Sequence, residues 1–210
     1  MNGVFLTFEG CEGSGKSTQM GLLAEFLHQR GGHVVITREP GGTPLAERIR
    51  GLLMETSEEA IAPVAELFLY EAARAQHVQR VILPALERGD IVLCDRFYDS
   101  TTVYQGAGRK LDRETVAFLN RLAVGIARPT HTYIFDLPAE EGLRRARVRG
   151  SNDRMMQEDL AFHERVREGF LALAQEEGDR ITIVNASRTI EIIQDELRRH
   201  VCGLPCMEIR

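Results

Sequence analysis

The chain has 210 residues, 43% of them hydrophobic, and carries a net charge of −5 from 26 basic and 31 acidic side chains. That is enough apolar material for one full core, and the acidic balance argues against non-specific binding along nucleic acid, which is driven by neutralising phosphates. No apolar run approaches the ~18 residues of a membrane span. Met1-Asn2-Gly3 lacks the basic start of a secretion signal, and Cys11, Cys94, Cys202 and Cys206 fit neither a zinc spacing nor a dense disulfide framework. The expectation is a single cytoplasmic domain over residues 1–210, with no membrane or nucleic-acid partner.

Val4 to Phe8 is an apolar run that predicts a first strand, and Gln19 to Arg30 is a helix-like segment. Between them lies Gly10-Cys11-Glu12-Gly13-Ser14-Gly15-Lys16-Ser17-Thr18. Glycines let such a loop turn successive N–H groups onto an anion, and the following helix adds the positive end of its dipole. The stretch reads as an ATP phosphate-binding loop, with Lys16 reaching the β- and γ-phosphates and the Ser17 hydroxyl on Mg²⁺.

Val34 to Thr37 is a second strand, stopped by the Pro- and Gly-rich loop Arg38 to Pro44. A short helix over Leu45 to Leu53 comes next, then a long helical pattern from Pro63 to about Arg88 with Pro84 inside it, which predicts a kink or break there. Ile91 to Cys94 is a buried strand ending in Asp95-Arg96. A loop and helix follow, then an amphipathic helix marked by Val116, Leu119 and Leu122. Thr132 to Phe135 is the fourth strand, Leu143 lies in a helix, Ile181 to Val184 is the fifth strand, and a last helix runs from near Thr189 to about His200. Apolar strands alternating with helices imply a five-stranded parallel sheet covered on both faces, with ligands beyond the strands' carboxyl ends. The phosphate loop, Arg38 to Gly42 and Asp95 to Arg109 should meet there. At the end of its strand Asp95 suits Mg²⁺ or its water shell, and Arg38, Arg50, Arg74 and Arg96 carry guanidinium forks matched to phosphate.

Together with the phosphate loop, three stretches resemble the bacterial thymidylate kinases: Thr37-Arg38-Glu39-Pro40-Gly41-Gly42, Tyr70 to Gln76, and Asp95-Arg96-Phe97-Tyr98-Asp99-Ser100-Thr101 to Tyr104-Gln105-Gly106. The resemblance extends to about residue 200. It implies the α/β P-loop nucleoside monophosphate kinase fold, ATP as donor with Mg²⁺, dTMP as acceptor and a homodimer. It also implies that Arg96 and Arg38, helped by Arg50, hold the dTMP phosphate, that the thymine lies against Tyr70, and that Arg74, Thr101 and Gln105 address its edge. Tyr104 is implied to crowd the sugar 2′ position and Glu12 to receive the 3′-hydroxyl.

Some relatives carry an Arg where this chain has Gly13. The substitute expected from the sequence is a lid over about 144–156, which holds Arg144, Arg145, Arg147, Arg149 and Arg154 against Asp153 alone. Glu140 and Glu141 can pair with the first two arginines. Arg149 and Arg154 flank the breaker cluster Gly150 to Asp153 and are expected to neutralise charge in transfer, a role worth roughly 10³ to 10⁵ in rate. Two alternatives stay open: a P-loop kinase with another acceptor, and a non-catalytic nucleotide-binding switch. The absence of an Asn/Thr-Lys-x-Asp stretch disfavours the switch.

Overall fold

The computed structural model describes residues 3–148, 150 and 154–205. Five strands, β1 (Val4–Gly10), β2 (Val34–Arg38), β3 (Ile91–Asp95), β4 (His131–Asp136) and β5 (Ile181–Asn185), pair in parallel in the order β2-β3-β1-β4-β5. Around them lie α1 (Lys16–Gln29), α2 (Pro44–Met54), α3 (Pro63–His77), α4 (Leu83–Arg88), α5 (Tyr98–Thr101), α6 (Arg113–Val124), α7 (Ala139–Val148), α8 (Leu160–Glu176) and α9 (Ile190–Cys202).

Successive strand residues point to opposite faces, and the core follows that alternation. Val4, Leu6 and Phe8 pack with Met20, Leu23 and Leu27 of α1 and Ile193 and Leu197 of α9. Phe5, Val92 and Cys94 pack on the other face with Val78, Ile82, Leu86 and Val124. A further cluster joins Ile134 to Tyr104, Phe162, Val166 and Phe170. Both faces are therefore covered, as the apolar strands require.

Two findings refine the expected elements. The break near Pro84 begins earlier: α3 gives way to a wide π-type turn over Val78–Ile82, and Pro84 sits in the first turn of α4. In an unbroken α-helix the proline ring would collide with the carbonyl of Arg80, and the widened turn relieves this. The expectations also contain no helix between the lid segment and β5, where the chain forms the seventeen-residue α8. Asp159 caps it by accepting from the Phe162 N–H, and Phe162, Val166, Phe170 and Leu173 form its buried stripe.

The strand order reverses at β1, whose neighbours are β3 and β4, and such a reversal opens a crevice at the carboxyl ends. Register then decides what meets there. Phe8 is level with Asp95, and the Arg96 N–H donates to Phe8 O at 3.0 Å, so β3 ends beside the start of the phosphate loop.

At the opposite, amino-terminal end of β4, His131 stacks on His200 with ring centroids 4.5 Å apart and hydrogen-bonds Thr182 Oγ1. Burial, with His200 and Arg180 adding to it, pushes the His131 pKa down to about 4. The unfolded chain takes this proton first, so the neutral ring's contribution is complete above about pH 6.5 and is lost as pH falls toward 4. The drop in urea midpoint between about pH 7 and about pH 4.5 is expected to be smaller in His131→Gln than in the parent chain. An unchanged pH profile in the variant would remove His131 from the acid sensitivity.

Candidate active site

Gly10 ends β1 with φ 125, and a Cβ there would lie 2.5 Å from Phe135 O, so only glycine lets the loop leave the sheet beside β4. The loop closes on Lys16, the first residue of α1. Its Nζ donates to Gly10 O at 3.0 Å, Cys11 O at 2.8 Å and Ser14 Oγ at 3.3 Å. Burial and the nearby Arg96 hold its pKa below the usual lysine range. A desolvated cation clasped by its own loop gains from any anion brought to the loop's mouth. Beside it the Ser17 hydroxyl donates to Asp95 Oδ2 at 2.6 Å.

A hydroxyl and a carboxylate at this spacing form a hard, all-oxygen donor pair. Among the described residues no group of three or more His, Cys, Asp or Glu could enclose a metal. That combination fits Mg²⁺, which takes one or two protein ligands and completes its octahedron with phosphate and water.

Arg96 has φ 66, an unusual backbone conformation for a side chain of its size. From it the guanidinium reaches Gly10 O at 3.0 Å, Ser100 Oγ at 3.2 Å and Glu12 Oε1 at 2.7 Å. Tyr104 donates its hydroxyl to the Glu12 carboxylate at 2.9 Å, and Arg96 lies over the Tyr104 ring 5.1 Å from its centre. Burial alone would raise the Glu12 pKa, but Arg96 and Lys16 outweigh it and keep the carboxyl ionised. Beneath this trio the fully buried Glu9 accepts from the Phe97 N–H at 2.7 Å and the Ser100 hydroxyl at 2.5 Å. Burial and the neighbouring Asp99 raise its pKa.

The cavity runs on from the loop, with a volume of about 310 Å³, past Arg38, Arg50, Tyr70 and Arg74 to Thr101 and Gln105. Arg74 is 2% exposed and donates to Glu39, Glu71, Asn120 and Thr101 at 2.8–3.1 Å. Four of its five N–H groups are thus used. Behind Gln105 the fully buried Glu66, not itself on the cavity surface, accepts from Gln105 Nε2 at 2.8 Å, Arg109 Nε at 3.3 Å and Arg154 at 2.5 Å. Arg38 pairs with Glu47 at 2.9 Å, and Arg50 donates to Pro40 O at 3.1 Å.

A family model described as thymidylate kinase matches residues 8–197. The chain belongs to the thymidylate kinase family. It is 51% identical over 204 residues to a thymidylate kinase of Pseudomonas putida (strain GB-1), covering 97% of each chain. It is 48% identical over 212 residues to one of Geobacter sp. (strain M21), covering 96% of this chain and 94% of that one. The crystal structure of thymidylate kinase from Ehrlichia chaffeensis superposes with a TM-score of 0.78 at 35% identity, covering 95% of this chain and 98% of that one.

In this thymidylate-kinase-family chain, one cavity gathers from the sequence-predicted residues Glu12, Gly13 to Ser17, Arg38, Arg50, Tyr70, Arg74, Asp95, Arg96, Thr101, Tyr104 and Gln105. Gly10 and Cys11 form the floor of the loop, and Thr18 points to solvent on α1. The lid arginines divide. Arg144 and Arg145 pair with Glu141, Arg149 lies outside the described residues, and Arg154 goes to the acceptor wall, on Glu66 and Leu53 O at 3.0 Å. Arg154 is thus not brought to the phosphate loop.

Sequence reasoning missed Glu9, Glu66 and Arg109. Glu66 could have been found from its spacing, four residues before Tyr70 on the same helix.

No side chain fits at position 13 in this structure. Gly13 has φ 69, and a Cβ there would collide with Gly142 O, while a Cβ on Gly142 would lie 2.5 Å from Glu12 O. The α7 backbone rests directly on the loop. Gly142→Ala must displace one from the other, and the expected result is a lower melting temperature with KM for ATP raised several-fold. Calorimetry and a coupled assay check it, and parent-like values in both would mean that the contact can yield freely.

Proposed function

We propose that this chain transfers the γ-phosphoryl group of ATP to dTMP, giving dTDP and ADP, with the residues named above in the roles that follow. The observation that carries the reading is the continuity of one cavity from the phosphate loop to the wall made by Tyr70, Arg74, Thr101 and Gln105. The loop amides and Lys16 take the donor's phosphates. Bound with them, Mg²⁺ neutralises β- and γ-phosphate charge, and Ser17 Oγ and the Asp95 carboxylate are the groups that would hold it.

Arg96 and Arg38, with Arg50 behind them, orient the dTMP phosphate. The face of Tyr70 supports the thymine. Glu12 accepts the 3′-hydroxyl, and Tyr104, held against Glu12, fills the space a 2′-hydroxyl would need. No general base is required, because a phosphate monoester is largely ionised at neutral pH (second pKa about 6). Catalysis is positioning and charge neutralisation in a site that excludes water.

From the lid, Arg149 is the transfer cation in this reading. Helix α7 brings Ala146 to the cavity and ends at Val148. Arg154, tied to Glu66, belongs to the acceptor side. Arg149→Ala should cut kcat by about a hundredfold or more with little change in KM for dTMP, and Arg154→Ala should chiefly raise KM for dTMP. The reverse pattern would exchange the two roles. Lys16→Ala should abolish turnover while dTMP still binds by calorimetry. ADP release measured across dTMP, dUMP, UMP, dCMP and dAMP tests the acceptor, and preference for any other monophosphate would overturn dTMP.

We also assign the chain to the cytoplasm, and to a homodimer formed through α2, α3 and α6. These helices leave Leu52, Val64, Phe68, Phe118 and Leu122 more than half exposed, a large apolar surface for a single subunit. No described helix is long and apolar enough to cross a membrane. Phe118→Glu combined with Leu122→Glu should yield a monomer in sedimentation, and a persistent dimer would place the interface elsewhere.

A further inference from the structure

We infer that Glu66, a residue outside the machinery so far assigned, sets which bases the pocket accepts by fixing the orientation of the Gln105 amide. The inference rests on the acceptor reading above and deepens it.

The two ends of a carboxamide differ only in hydrogen-bond polarity, so what surrounds it decides which end faces a ligand. Glu66 lies on α3 with no solvent exposure, and its carboxylate is surrounded by donors: Gln105 Nε2 at 2.8 Å, Arg109 at 3.3 Å and Arg154 at 2.5 Å. Burial alone would raise its pKa, but these donors outweigh it and the group stays ionised. An ionised carboxylate only accepts. Gln105 can therefore meet it through its NH₂ end alone, and the reverse orientation would set two oxygens against each other.

Gln105 is itself 1% exposed and lines the cavity, and its Oε1 has no partner among the described residues. The pocket thus offers an acceptor at this point. Arg74, which also lines the cavity, has one N–H with no partner among the described residues and can serve as a donor. An acceptor and a donor lining one cavity complement a pyrimidine edge that carries an imide N–H next to a carbonyl, as in thymine or uracil. A 4-aminopyrimidine presents the opposite pattern, a bare ring nitrogen beside an amino group, and would leave buried groups unpaired. Sites built in this way discriminate far more strongly than apolar pockets do. Glu66 acts through Gln105 and is a positioning residue.

Glu66→Gln tests this. Arg109 keeps Glu158 at 2.6 Å and Arg154 keeps Leu53 O, so neither cation is stranded. The new amide has one oxygen, which the guanidiniums claim, and its NH₂ then turns Gln105 around. Expected are a KM for dTMP raised about tenfold, kcat and KM for ATP within about threefold of the parent, and a dTMP-over-dCMP preference in kcat/KM reduced at least tenfold. Glu66→Asp keeps the charge against both arginines but draws the oxygen away from Gln105, and it should weaken the same preference even if Glu66→Gln folds poorly. Parent-like discrimination in the folded variants would overturn the inference while leaving the acceptor reading intact. A parent enzyme that used dCMP as readily as dTMP would overturn both.

Discussion

The pairing of β1 with β3 is the constraint on which the rest of the site depends. Because Phe8 is level with Asp95, the chain leaving β3 passes beside the loop leaving β1. Asp95 then meets Ser17, and Arg96 meets Gly10 and Glu12, all within hydrogen-bonding distance. A slip of one residue would turn both side chains to the other face of the sheet and separate the donor and acceptor halves. Both faces of β1 are buried, so polarity alone does not fix the pairing; the fit of the two cores does, with the buried Thr7–Thr132 hydroxyl contact at 2.7 Å.

Charge inside the molecule is arranged in closed groups. Glu9 receives the Phe97 amide and the Ser100 hydroxyl, and Ser100 receives Arg96, whose backbone adopts the positive φ. The fully buried Asp99 pairs with the part-buried Arg180 at 2.8 Å. Desolvating such groups is costly unless each finds partners, and that cost makes their geometry rigid. The site is thus built from side chains already committed to one another, and its specificity comes from the few hydrogen-bonding positions left over.

Much of this was legible in the sequence. Strand identity followed from short apolar runs, and the phosphate loop from its glycine spacing together with Lys16 and Ser17. The meeting of that loop with Asp95 and Arg96 followed from the geometry of parallel sheets. The rest was hidden for physical reasons. The stripe of α8 carries the period of a helix, but it follows directly on the arginine-rich lid, whose charge dominates the reading. Glu66 and Glu9 are acids in fully buried positions, and burial of an acid is visible only once its donors are placed. Arg154 carries a charge suited to either half of the reaction, and only the position of Glu66 shows which wall it joins.

Gly13 and Gly142 touch with no side chain between them. Loop and helix are therefore in backbone contact, with nothing soft to absorb a displacement. A displacement of the loop would reach α7 directly, and through α7 the Ala146 that lines the cavity.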